Sequence, residues 1–175
     1  MTDDVNSVAT PYQQAARLAA AVLGNLAEIE SAIGELGGRI NDLPLFARGF
    51  VASQVTKGTG QDIPAWAKTI TALTSALHQA QEAAGHGAAA GGPSADDRAL
   101  YAAARERVDQ DRPRLDKLST FMESVPSKLG AVPPGLLPPD QRAEFLDAIA
   151  HQTQALRAAL AEMPALSEQL LAISY

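Results

Sequence analysis

Apolar or small residues recur at Tyr12, Ala15, Ala19, Val22, Leu26, Ile29, Ile33, Leu36, Ile40 and Leu43, in an unbroken alternation of three- and four-residue steps. A helix with about 3.6 residues per turn gathers such positions into one stripe, which other helices must cover. The spacing predicts a long first helix. Thr10-Pro11-Tyr12-Gln13 suits its start, with Thr10 as cap, Pro11 in the first helical position and Gln13 placed as a capping-box partner. Its end is expected near Asp42-Leu43-Pro44, because the residue before a proline avoids helical backbone. Gly37-Gly38 marks its least secure turn.

Three more stretches repeat the plan. One runs through Ile63, Trp66, Ile70, Leu73, Leu77, Ala80 and Ala84; the next through Tyr101, Ala104, Val108, Asp111, Leu115, Leu118, Met122 and Val125. The last carries Phe145, Ile149, Gln152, Leu156, Ala159, Met163, Leu166, Leu170 and Ile173. Trp66 lies on its seam and reads as core. Pro113 and Pro164 fall inside the third and fourth stretches, where a lost backbone hydrogen bond should kink each helix.

Four such stripes are best buried in an all-α antiparallel four-helix bundle made of two long helical hairpins. Residues 1–9 are polar and expected to be disordered, leaving 10–175 as a single helical-bundle domain. Within it one hairpin spans 10–84, a flexible linker spans 85–94 through Gly85-His86-Gly87 and Gly91-Gly92-Pro93, and a second hairpin spans 95–175. A stiff proline-rich joint from Val125-Pro126 to Pro139 divides the second hairpin. The competing arrangement is two separate hairpins that complete their cores by dimerising.

Between the first two stripes an additional short helix is predicted near 45–56, with Phe46, Phe50, Val51 and Val55 on one side and Arg48 and Gln54 on the other. Aromatic residues at helical spacing usually fill a core, so this segment is expected to cap one end of the bundle. The competing reading makes Phe46, Phe50 and Val51 a partner-docking knuckle. The adjoining Lys57-Gly58-Thr59-Gly60 lacks the glycine pattern and ending of a phosphate-binding loop.

Composition narrows the function. The chain is 46% hydrophobic but only 5% aromatic, so its apolar content is largely alanine and leucine, as closely packed helices prefer. A formal charge of −6 argues against nucleic-acid binding, which uses a basic face. Cysteine is absent, which excludes disulfides, thiolate metal sites and cysteine nucleophiles. Met1-Thr2-Asp3-Asp4 lacks the basic start of a secretory signal, and no apolar run approaches the length of a membrane span. A cytoplasmic location is expected. The excess of arginine over lysine and the abundant alanine suggest a GC-rich bacterial source.

Chemistry has few candidates. His78, Glu82 and His86 are four apart, but the glycines flanking His86 should end the helix before it becomes a ligand. His151 borders the fourth stripe, and no Glu-x-x-His pair of the ferritin-like metal bundles occurs. Neither a nucleophile elbow nor a serine-histidine-acid order can be found. No catalytic residue, cofactor or metal is therefore expected. The densest charge cluster, 105–117, should compensate itself through pairs such as Arg107 with Asp111 and Arg112 with Asp116. Asp111 on the seam beside Pro113 breaks local rules, which makes Arg112 and Arg114 a candidate site for an acidic partner.

These observations favour a non-catalytic protein acting through protein-protein association or self-association, as an adaptor, assembly subunit or small regulatory partner. Its candidate partner-binding residues are Phe46, Phe50, Val51, Arg112 and Arg114. A second expectation is an amphipathic helical coat on a lipid or polymer-granule surface, and a third a metal or small-molecule site between helices.

Overall fold

Thr10 starts the first helix as its sequence predicts: Gln13 N–H donates to Thr10 Oγ1 at 3.2 Å, and Thr10 N–H donates to Gln13 Oε1 at 2.9 Å. The computed structural model describes residues 9–89, 91–135 and 137–175; the expected disorder of the N-terminus thus concerns, for residues 1–8, a stretch outside the described residues. Five helices follow in order: α1 (Pro11–Asn41), α2 (Leu45–Thr59), α3 (Ile63–Ala89), α4 (Ala95–Gly130) and α5 (Pro139–Ile173).

α1 and α4 each pack against both α3 and α5, which closes a four-helix bundle. Gly37 of α1 lies against Ile63 and Gly87 of α3 against Tyr12, so α1 and α3 run antiparallel. Gln169 Nε2 donates to the Pro11 carbonyl at 3.1 Å and His151 faces Glu28, giving the same relation between α5 and α1. Ser167 Oγ donates to Asp109 Oδ1 at 2.7 Å, and Arg157 Nε to Glu123 Oε1 at 2.8 Å, so α5 also runs antiparallel to α4. The all-α bundle of two long hairpins is the fold.

All four stripes meet in one core. Val22, Leu26, Ile70, Leu73, Leu77, Val108, Leu115, Leu156 and Met163 are fully buried within it. Trp66 is buried too, as core. Burying such a side chain contributes about 1.5–3 kcal/mol, which supports helices longer than local propensity would sustain.

That surplus explains three departures from the expected boundaries. α3 does not stop at Ala84 but continues to Ala89 through Gly85, His86 and Gly87. Gly87 is buried beneath two rings: a Cβ there would come within 3.3 Å of the Tyr101 hydroxyl and 3.4 Å of the Tyr12 ring. A glycine costs a helix about 1 kcal/mol, and here its missing side chain is what lets the rings pack. Of the expected linker 85–94, residues 85–89 belong to α3 and residues 91–94 are irregular; Ala90 lies outside the described residues. The chain turns through Gly91 and Gly92, both at positive φ, into Ser94. Ser94 and Asp97 cap α4 reciprocally, and the Ser94 N–H and side chain hold the Asp97 carboxyl below its ordinary pKa.

α4 likewise runs past Pro126 to Gly130, so the joint begins at Ala131; Leu136 within it is not described. Pro113 and Pro126 lie inside α4 and Pro164 inside α5, and each helix stays continuous across them. All three rings are exposed, on the side where a carbonyl freed by proline can turn to water. α2 extends to Thr59 and is ended by Gly60, whose φ of 81° is the left-handed cap position that glycine favours.

Candidate functional site

α2 joins the bundle by one side only. Val55 and Thr59 are buried, and the Trp66 Nε1–H donates to Thr59 Oγ1 at 2.8 Å, which ties the last turn of α2 to α3. Gly58 lies so close to the Phe121 ring of α4 that no side chain would fit between them. The first half of α2 has no comparable anchor. Its N-cap position is Pro44, without a side-chain cap, and Arg48 Nε donates to the Leu43 carbonyl at 2.6 Å to brace the turn.

Leu45 and Phe46 are therefore each 83% exposed and Phe50 66%. Phe46 and Phe50 do not cap the bundle, contrary to the core reading; only Val55 and Thr59 of this helix enter it, and Val51 is half-buried at the boundary. Positions 46, 50, 53 and 57 are three or four apart and fall on one helix face, with 49 flanking it. All of them are exposed, so Phe46, Phe50 and Lys57 share a solvent stripe.

Beyond the end of α2, a groove of about 410 Å³ is lined by Thr59, Gly60, Gln61, Ala65, Arg114 and Lys117. It brings two cations of α4 beside the α2–α3 turn. A third, Lys128, sits 4.9 Å above the Phe121 ring that packs on Gly58. Asp62 beside Gln61 is engaged in accepting the Ala65 N–H at 2.8 Å, at the start of α3, and Asp116 neighbours Lys117 in the sequence.

Arg112 and Arg114 do not form one site. Two residues apart on a helix, they point about 200° apart. Arg114 turns inward and donates through Nη1 to Asp111 Oδ1 at 3.1 Å, while Arg112 is exposed. Asp111 is fully buried on the seam and is also paired with Arg107, as the spacing predicts. The expected pair of Arg112 with Asp116 is not among the ion pairs of the described residues; Arg105 with Asp109 at 3.7 Å is.

The remaining candidates are dispersed. Because α3 continues, His78, Glu82 and His86 do share a helix face, and all three are exposed. Among the described residues no group of three histidine, aspartate or glutamate side chains is arranged to hold a metal ion. His151 Nε2 lies 3.5 Å from Glu28 on the surface between α5 and α1. Tyr101 is fully buried, its hydroxyl meets no protein partner among the described residues, and its pKa is pushed up to about 12 by burial, with Asp97 and Tyr12 adding to the shift.

Sequence reasoning chose Phe46, Phe50 and Val51 from aromatic spacing alone and missed Leu45, Lys57 and Lys117. A signal for them was present: α2 is the one helix of the five with no acidic residue, in a chain of net charge −6. No helix among the described residues is long and apolar enough to cross a membrane. No family model, curated protein or solved structure matches the chain.

Proposed function

We propose that this chain is a non-catalytic helical-bundle protein that acts in the cytoplasm through protein-protein association, as an adaptor, assembly subunit or small regulatory partner, and that α2 is its docking element. The observation carrying this reading is the outward display of Leu45, Phe46 and Phe50 on a helix anchored by its other side. Contiguous exposed apolar side chains of this size mark interaction surfaces. Helix-in-groove recognition uses such i, i+4 anchors.

The coat reading has less support. Its apolar stripes are already buried between α1, α3, α4 and α5, so spreading on a surface would require the core to open. The test is a double substitution, Phe46→Ser with Phe50→Ser, followed by affinity capture from native extract and light scattering of the purified protein. Association should be lost while helicity and thermal midpoint hold. Retention of the same partner, or a monomer that captures nothing even as wild type, would overturn the proposal.

A further inference from the structure

The partner's chemistry can be read from what surrounds α2, on the basis of the association just proposed. The chain carries 20 acidic residues against 14 basic ones, yet α2 has none of the acidic residues. Its exposed stripe begins with Phe46 and Phe50 and ends in Lys57. Past the end of α2 the groove holds Lys117 beside Arg114, the latter paired with the buried Asp111. An acidic protein thus presents an apolar strip on a helix without carboxylates, with Lys57 at its end.

We propose that this surface docks an acidic amphipathic helix of a partner protein, with Phe46 and Phe50 receiving its apolar side and Lys57 and Lys117 its carboxylates. From Phe46 to Lys57 the strip is about 17 Å long at 1.5 Å per residue, which matches about three helical turns of a partner. Charge complementarity steers the encounter and sets the register, while the aromatic anchors supply the apolar contact.

Two other occupants fit less well. A second copy of this chain would bring the same carboxylate-free helix and the same cations to the contact. An anionic bilayer would repel a chain of net charge −6 and would meet the protruding phenylalanines without entering the groove.

Fluorescence anisotropy tests this with three labelled 14-residue helical peptides that share one leucine stripe and differ only in a polar face of glutamate, glutamine or lysine. Vesicles of mixed phosphatidylglycerol and phosphatidylcholine form a fourth arm. The glutamate peptide should bind about tenfold more tightly than the glutamine peptide, and the lysine peptide more weakly than either. Raising the salt should shrink that advantage. Lys57→Glu with Lys117→Glu, both at exposed or groove positions, should erase it without moving the thermal midpoint, and Phe46→Ser with Phe50→Ser should abolish binding of all three. Equal binding of the three peptides, still sensitive to the phenylalanines, would overturn the acidic partner but leave association through α2 standing. Failure of every peptide, or indifference to the phenylalanines, would overturn both. Vesicle binding without peptide binding would reassign the surface to membranes.

Discussion

Asp111 Oδ1 accepts a hydrogen bond from Arg114 Nη1 at 3.1 Å, and the same buried carboxylate is paired with Arg107 one turn back. A charge at a core position of α4 is thus held by two arginines whose side chains are 27% and 43% exposed. Removing one partner of a buried pair costs about 3–5 kcal/mol, whereas replacing the pair by apolar groups of similar volume can be neutral or stabilising. Here both arginines can turn to water once released. Asp111→Ala should therefore destabilise by about 2 kcal/mol, less than the full penalty, and Asp111→Leu should match or exceed wild type. Urea unfolding of both variants decides, and a leucine variant as unstable as the alanine one would contradict the account.

Tyr101 makes stability depend on alkaline pH. Its pKa in the fold is raised to about 12, above its ordinary value of about 10, so folding favours the neutral phenol. That contribution is complete below pH ~10 and is lost as pH rises towards 12, by up to about 2–3 kcal/mol. Tyr101→Phe should remove this part of the alkaline loss. Because the hydroxyl has no protein partner among the described residues, the same change should cost nothing at pH 8 and could add about 1 kcal/mol. Denaturation of wild type and variant at pH 8 and pH 11 gives both numbers.

The four long helices were legible because the three-and-four spacing that predicts them is also what buries them. Val22, Leu73, Leu115 and Leu156, each on a predicted stripe, all lie at the centre of the core. Helix ends were less legible, since they depend on partners distant in sequence. Gly85 and Gly87 read locally as breakers, yet Tyr12 and Tyr101 from two other helices pack on Gly87 and carry α3 past it. α2 failed in the opposite direction. Aromatic spacing suggested burial, but Val55 and Thr59 already make its attachment to the bundle, leaving Phe46 and Phe50 outside. Spacing identifies a face and not what lies opposite it. Arg112 and Arg114 are close in the sequence, on either side of Pro113, but a helix sends residues two apart to different sides.

Thr59 connects that attachment to a spectroscopic signal. Its hydroxyl accepts from the indole of Trp66 at 2.8 Å and donates to the Val55 carbonyl at 2.8 Å. Trp66 is the single tryptophan of the chain. Thr59→Val keeps the shape but leaves a buried N–H without its acceptor, which should cost about 1–3 kcal/mol. Thr59→Ser should retain most of the stability. Intrinsic fluorescence reports the indole directly, so the valine variant should shift its emission in the folded state while the serine variant should not.

Two glycines of α2 should respond to the same substitution with opposite signs. Gly49 is exposed and nothing lies within 4 Å of the position a Cβ would take. Alanine there gains helix propensity without obstruction, so Gly49→Ala should stabilise by about 0.5–1 kcal/mol. Gly58 faces the Phe121 ring, which packs partly buried against the core and lies beneath Lys128. A methyl group there would overlap the ring at Cδ2 and Cε2 and press on Cγ at 3.2 Å, close to the ring's root, so rotation of the ring tip alone cannot relieve it. Either Phe121 leaves its place or α2 lifts from α4, and Gly58→Ala should destabilise by about 1–3 kcal/mol despite the better propensity of alanine. Thermal melts of the two variants settle the signs. Hydrogen exchange then separates the routes, because lifting of α2 would lower protection from Val55 to Gly60, and displacement of Phe121 alone would lower it only around Phe121 in α4.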